Sequence, residues 1–428
     1  MELATFLISL VVLLFTGLPI GVVLMLCCLL LMWVIDLGDI SYQLSFQIVG
    51  GIDNYILMTV PFFILAGEIM KEGGISRQLI DFARIIVGRF RGGMGYVTVL
   101  ACMLFAGLSG IAIADVSALG SMLVPMMVAS GYDKARATGL VCSASLTAPI
   151  IPPSLAFIVL GVAAELSIGR LFVMGIVPGI LLGLSIMVAW FLIVKHDGYD
   201  DVVKVKAKDA LPIIIKALPA VMLPVIIIVG IRMGYFTPTE GGAIACVYAF
   251  VVATILNRQL KFKDMPDILF NAMKSTAVVM FIVGAACAIA WIISMADVPA
   301  ELTSSMSSLT SHPMLLLIAI NILLIGVGMV MDIVPIILIF SPVLFPLITA
   351  AGIDPYYFGL IMVLNLCIGL QTPPVGTVLF VGITISKLKM GQVVRGISPF
   401  LLAEVAFLVL CLIFPQIITG PAAWFGYK

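Results

Sequence analysis

The sequence predicts an all-α polytopic membrane protein. It consists of two inverted repeats of about five crossings each, every repeat carrying a re-entrant hairpin and a proline-broken helix. Three observations predict this. Of 428 residues, 63% are hydrophobic and 10% are charged, and the mean hydropathy is +1.28; a soluble domain carries about a quarter charged residues. Helix breakers recur in order, 221 positions apart: Phe15-Thr16 with Phe236-Thr237, Gly21 with Gly242, Pro125, Gly131 and Asp133 with Pro346, Gly352 and Asp354, Pro152-Pro153 with Pro373-Pro374, and Gly161 with Gly382. Chance identity in an apolar chain would scatter over Leu and Val. Ordered matches at Pro, Gly and Asp mark a duplicated membrane unit, as in secondary transporters with a site between repeats. Finally, 19 of the 22 basic residues fall in segments assignable to one face, as the positive-inside rule requires.

Apolar length sets the elements, since about 20 residues span a bilayer. The first repeat, 1–195, offers spans at 2–17 and 19–35, then 54–70, 96–130, 135–163 and 171–195. Residues 4–35 carry no charge and fit either one long tilted helix or two spans divided at Gly17 and Pro19. The N-terminus lacks the positive region of a signal peptide, so the first apolar segment is expected to be retained. A polar cytoplasmic linker is expected at 196–212. The second repeat, 213–428, offers 213–233, 241–257, 270–295, 313–350, 356–385 and 397–420.

Segments 96–130 and 313–350 are too polar and too rich in small residues at their centres for plain crossings. Each has about 35 residues, enough for two half-length helices at about 1.5 Å per residue. Both read as re-entrant hairpins, with tips at Gly107-Leu-Ser109-Gly110 and Gly326-Val-Gly328. Irregular backbone at such depth needs protein or a water-filled cavity around it. Segments 135–163 and 356–385 read as crossings broken at Pro152-Pro153 and Pro373-Pro374, because proline deletes a backbone donor and frees a carbonyl one turn earlier. Freed carbonyls plus Ser145, Thr147, Asn365, Gln371 and Thr372 make an oxygen shell suited to a hard cation.

Loops 71–95, 131–138, 195–216, 258–274 and 387–395 hold the 19 bases and are placed inside; loops 36–53 and 296–313 have no Lys or Arg and are placed outside. Arg170, Arg232 and Lys428 remain for the outer face. The matched loops at Gly131 and Gly352 then face opposite sides, which makes the repeats inverted.

Asp115 and Asp332 each follow a hairpin tip. A carboxylate there can bind a cation, cap the following helix or relay a proton. Glu404 lies in the last span without an evident partner in sequence. Several classes lack their motifs. There is no phosphate-binding loop, no catalytic Ser/His/Asp set and no Cys/His zinc pattern. The eight cysteines are expected to be packing residues, and zero net charge argues against nucleic acid. Ion-gradient transport is favoured over ATP hydrolysis or catalysis, so the chain is expected not to be an enzyme and to need no cofactor. An ion channel is the alternative from another class.

The hairpins and Pro-broken helices resemble the ion-transporter superfamily. The strings Gly17-Leu-Pro-Ile-Gly21, Thr59-Val-Pro-Phe-Phe63, Gly107-Leu-Ser-Gly110, Ala148-Pro-Ile-Ile-Pro-Pro-Ser154, Thr237-Pro-Thr-Glu-Gly-Gly-Ala243 and Thr372-Pro-Pro-Val-Gly376 resemble the large membrane subunit of TRAP (tripartite ATP-independent periplasmic) transporters. The resemblance implies sodium coupling, elevator-type motion and uptake of an organic acid across a bacterial inner membrane. Sialic acid is the lead expectation and C4-dicarboxylates the other. It implies two partners in the lipid bilayer and periplasm: a small four-span membrane subunit and a periplasmic substrate-binding protein. A self-sufficient sodium/dicarboxylate symporter is the alternative within the superfamily. Carried onto this chain, one sodium site would use Ser109, Gly110, Asp115, Ser145, Thr147 and Pro149. The other would use Gly326 or Gly328, with Asp332, Gly369, Gln371 and Thr372. Substrate contacts would come from Ser109, Ser154, Asn365, Thr372 and Thr377.

Overall fold

The computed structural model describes residues 8–36, 41–199, 202, 207–296 and 312–424, apart from 11, 14 and 15. The expected span at 2–17 and the outer loop 296–313 therefore lie largely outside the described residues. Among these residues there is no β-strand. Seven helices are long and apolar enough to cross a membrane, or eight if the pair Tyr42–Ile52 and Tyr55–Glu72, bent by 55°, forms one span.

After helical residues at 8–10 and 12–13 come α1 (Ile20–Val34), α2 (Ser41–Ile52), α3 (Thr59–Glu72) and α4 (Ile75–Val87). Segment 96–130 is realised as α5 (Gly93–Ser109) and α6 (Ala112–Ala129), which pack on each other after the turn at Gly110. Segment 135–163 is α7 (Lys134–Ser145) and α8 (Leu155–Ala163), and α9 (Ile168–Asp197) follows. Then come α10 (Ala207–Arg232), α11 (Pro238–Val251) and α12 (Met265–Met295). Segment 313–350 is α13 (Pro313–Gly328) and α14 (Ile333–Ala350), and 356–385 is α15 (Pro355–Leu370) and α16 (Thr377–Ser386). The chain closes with α17 (Met390–Ile413) and α18 (Gln416–Trp424).

The duplicated breakers do the same physical job twice. Gly131 and Gly352 both take positive φ, +93° and +72°, a conformation that glycine reaches without penalty. Each ends a helix, and the Asp two residues later caps the next one. Asp133 Oδ1 accepts from Arg136 N at 2.8 Å; Asp354 Oδ1 accepts from Tyr356 N at 2.7 Å and Tyr357 N at 3.0 Å. The bonds Pro152-Pro153 and Pro373-Pro374 are both cis.

Packing is reciprocal between the halves. Helix α6 packs on α16, and its counterpart α14 packs on α8. Likewise α3 packs on α11, while α1 packs on α12. Buried Thr59 and Thr239 hydroxyls, 2.9 Å apart, join α3 to α11.

Three expectations are corrected. Residues 36–53 are not simply an outer loop, because 41–52 form α2. Polar Ser41, Gln43, Ser45 and Gln47 dilute its hydropathy, yet Ile48 and Ile52 meet Gly284 of α12. The linker 196–212 is shorter than expected, since α9 runs to Asp197 and α10 begins at Ala207. The last segment is two helices, α17 ending before Pro415 and α18 following it; Phe414 leaves helical geometry at φ −119° and ψ 77°, the direction in which a following proline pushes a residue.

Candidate functional site

Each hairpin tip meets the break of its own repeat. At the first, Ser109 Oγ donates to the Asp115 carboxylate and accepts from Ile111 N at 3.3 Å. Asp115 is fully buried, its Oδ2 has no hydrogen-bond partner, and it does not cap α6, whose N-cap is Ile111. A β-carbon on Gly110 would fall 2.6 Å from Pro153 O, so the tip lies directly on the first break. The hydroxyls there fix the unwound backbone. Thr147 Oγ1 donates to Ala144 O at 2.7 Å and Ser154 Oγ to Pro149 O at 2.5 Å. Ser154 Oγ also accepts from Phe157 N at 3.3 Å, capping α8. Ser145 Oγ points to Cys102 Sγ of α5 at 3.8 Å.

At the second tip the contact is backbone to backbone. A β-carbon on Gly369 would lie 2.7 Å from Gly328 C. Met329 O accepts from Val375 N at 3.2 Å and Gly376 N at 3.0 Å. Gly326 faces open space, so of the two tip glycines Gly328 touches the break. Asp332 caps α14 through Ile333 N at 2.8 Å. Thr372 Oγ1 donates to Ile368 O at 2.6 Å. Asn365 Nδ2 donates to Asn321 Oδ1 of α13 at 2.6 Å. Thr377 Oγ1 is buried without a hydrogen-bond partner.

Gln371 turns elsewhere. Its Oε1 accepts from Ser143 of α7 at 2.9 Å, and its Nε2 donates to the Glu404 carboxylate. Glu404, which has no evident partner in sequence, thus finds one in Gln371 and is fully buried within this chain.

Between the tips lies a cavity of about 130 Å³. It is lined by Gly110, Ile111, Ala112 and Ile113 of the first tip and Pro149, Leu155 and Ala156 of the first break. Asp332, Ile333, Val334 and Pro335 of the second tip and Leu370 of the second break line it too, with Val278, Val279 and Ile282 of α12. Three helix N-termini, of α6, α8 and α14, thus border one space. Helix N-termini carry unpaired N–H groups and a partial positive charge. Among the described residues no Lys or Arg lines the cavity, and Asp332 is the only ionisable group that does. None of the five expected substrate contacts (Ser109, Ser154, Asn365, Thr372, Thr377) lines it. Ser154 and Thr372 fasten the breaks instead, Ser109 bonds within the first tip, and Asn365 joins α15 to Asn321 of α13. Sequence reasoning missed Ile111–Ile113, Leu155–Ala156 and Ile333–Pro335 because their side chains are apolar and carry no chemistry of their own. The signal available was position: each run follows a breaker.

An all-helical membrane protein with paired hairpins and broken helices around one central cavity is a secondary-transport permease. Residues 7–417 match the family described as tripartite ATP-independent periplasmic transporter, DctM component, and the chain belongs to that family. It is 43% identical over 408 residues, 95% of this chain and 96% of the relative, to the 2,3-diketo-L-gulonate TRAP transporter large permease YiaN of Escherichia coli K12. It is 38% identical to the C4-dicarboxylate large permease DctM of Pseudomonas aeruginosa, covering 91% of each chain. It is 34% identical to the sialic acid large permease SiaM of Vibrio cholerae, covering 97% of each. In fold it is similar to the YdaH transporter of Alcanivorax borkumensis, with a TM-score of 0.66 at 13% identity over 91% of this chain and 90% of that one. The protein is a multi-pass permease of the bacterial inner membrane, and its relatives are transporter permeases rather than enzymes.

Proposed function

We propose that this chain is the large permease of a sodium-coupled importer of small organic acids. A periplasmic binding protein delivers the substrate and a small four-span membrane subunit completes the permease. The observation that carries this is the central cavity: three helix N-termini border it and no base does. An anionic substrate is then balanced by backbone N–H groups and helix dipoles, and by cations bound beside it. The oxygens for those cations are supplied by Ser109 and the unwound carbonyls at the first break, and by the Gly328–Gly369 contact at the second. The relatives are named for 2,3-diketogulonate, C4-dicarboxylates and sialic acid, all carboxylates; the likeness to the sialic acid permease, 34% against 43% and 38%, does not favour sialic acid over the other two.

The test is uptake by proteoliposomes holding this chain and its small subunit, with a radiolabelled organic acid preloaded on the binding protein. Uptake is expected only with an inward sodium gradient. Equal uptake with potassium or a proton gradient sinks the sodium assignment; full-rate uptake of free substrate without the binding protein favours the self-sufficient symporter.

The repeats are proposed to be inverted and to work as an elevator, with α5–α8 and α13–α16 moving against α1–α3 and α10–α12. The reciprocal pairings α6–α16 and α14–α8 support this. Single cysteines at Lys134 and Asp354 are expected to label from opposite faces of sealed vesicles. Labelling from the same face means parallel repeats and ends the elevator reading.

A further inference from the structure

We propose that the groove between α9 and α17 holds a phospholipid with an ethanolamine headgroup, drawn from the cytoplasmic leaflet. The groove has a volume of about 780 Å³. Its walls are apolar, with Val188 and Leu192 of α9 across from Leu402 and Leu410 of α17, and all four side chains are exposed. Polar lining gathers at the cytoplasmic end, where Arg136, His196, Asp197 and Ser398 meet. At the other end Ser185 Oγ donates to Leu182 O of its own helix at 2.7 Å, which leaves that wall apolar.

Three observations point to this occupant. The first is length. The groove runs from Asp197 to Ser185 on α9 and from Ser398 to Leu410 on α17, roughly twelve residues of each helix and about 18 Å at about 1.5 Å per residue. That matches one leaflet, half of a hydrocarbon core about 30 Å thick. Helix α18, which follows α17, packs on α9. An acyl chain fits this length, whereas a transmembrane helix of another chain needs the whole thickness. The second is charge, since the headgroup end carries both signs. The Arg136 guanidinium suits phosphate oxygens, and the Asp197 carboxylate and Ser398 oxygen accept from an ammonium. Phosphatidylethanolamine brings both matching charges. An anionic headgroup brings no ammonium to Asp197, and a choline has no N–H to donate. The site thus calls for an acid at its mouth rather than for the absence of one. The third is preformation. Arg136 Nη1 donates to Gly396 O at 3.4 Å, and a β-carbon on Gly139 would fall 2.5 Å from Gly396 C, so α7 fixes the guanidinium against α17. Asp197 Oδ1 accepts from His196 Nδ1 at 2.8 Å. Ser398 Oγ donates to Arg395 O at 2.9 Å, the carbonyl that the missing N–H of Pro399 leaves free. The groove joins a helix of each half and is independent of the ion that drives uptake.

The test uses the permease together with its small subunit, delipidated in mild detergent and studied by native mass spectrometry. Phosphatidylethanolamine, phosphatidylglycerol or phosphatidylcholine with the same acyl chains is added in turn. A phosphatidylethanolamine adduct is expected to survive collisional activation that strips the other two. Asp197→Asn, at an exposed helix end, should weaken that binding about fivefold and abolish the preference over phosphatidylglycerol. Leu192→Trp/Leu402→Trp, which fills the groove from both walls, should remove the adduct. Val229→Trp, at an exposed position of α10, should leave it unchanged. Equal binding of phosphatidylglycerol or phosphatidylcholine by the wild type would overturn the proposal. An unaltered preference in Asp197→Asn, or equal binding by the double tryptophan variant and Val229→Trp, would do the same. So would a cysteine at Leu402 that cross-links to the small subunit in the delipidated complex, since the groove then holds a protein segment.

Discussion

Gly369→Ala is expected to reduce uptake by about tenfold or more while the protein still reaches the membrane. The added β-carbon would lie 2.7 Å from Gly328 C, 2.8 Å from its Cα and 3.0 Å from its O. All three are backbone atoms of the second hairpin tip, so no side-chain rotation relieves the clash. The tip must move off the break or the helices must separate, and forced overpacking of this kind costs about 1–3 kcal/mol. That corresponds to about a five- to 150-fold loss if transport requires the contact. Gly328→Ala meets Gly369 Cα at 3.3 Å and should be intermediate. Gly326→Ala has nothing within 4 Å and should keep uptake within about twofold, since alanine also favours the helix. Membrane abundance and the unfolding temperature of the purified complex separate loss of transport from loss of folding. Wild-type uptake by Gly369→Ala, or equal damage from Gly326→Ala, would mean the tip–break contact is not needed.

The positions at which the helices break were legible because breakers stand out against an apolar background. Segment 313–350 resolves into Pro313–Gly328 and Ile333–Ala350, and 356–385 into Pro355–Leu370 and Thr377–Ser386. What stayed hidden has two physical causes. One is distance along the chain: Ser143, Gln371 and Glu404 meet across separations of 228 and 33 residues, and no local pattern announces such a contact. The other is that the cavity is lined mostly by apolar residues. Ile111, Ala112, Leu155 and Ile333 have side chains without chemistry, so a search for polar residues passes over them and settles on Ser154 and Thr372. Those hydroxyls are engaged by neighbouring carbonyls at 2.5 and 2.6 Å. Breaking a helix at membrane depth leaves polar backbone that must be satisfied locally, and nearby Ser and Thr do that work. Helix α2 was missed for the converse reason, since its four polar residues mask an apolar face.

Gln371→Leu is expected to destabilise the protein far more than Glu404→Gln, and Gln371→Leu/Glu404→Leu to recover much of the loss. Ser143 donates to Gln371 Oε1 and Gln371 Nε2 to Glu404; the three residues are at most 1% exposed. The other carboxylate oxygen, Glu404 Oε1, has no hydrogen-bond partner. The Gln371 amide is therefore the principal donor to this carboxylate, with the Ser143 hydroxyl the other group within reach of it. Removing it takes the amide donor from a buried acid, and leaving such a group unsatisfied costs about 1–3 kcal/mol, more when it is charged. Glu404→Gln keeps the chain length and an acceptor oxygen, so its cost should stay near 1 kcal/mol. Replacing both members by leucine removes the polar groups together, which is often close to neutral. The cluster joins α7, the first residue of the second break and α17, so its loss should also loosen that break. Under the sodium reading, Gln371→Leu then needs more sodium for half-maximal uptake, whereas Glu404→Gln does not. Thermal unfolding of the purified complex measures the first effect and sodium titration of uptake the second. A double variant as unstable as Gln371→Leu, or a Glu404→Gln variant worse than either, would show that the carboxylate is held by something other than Gln371.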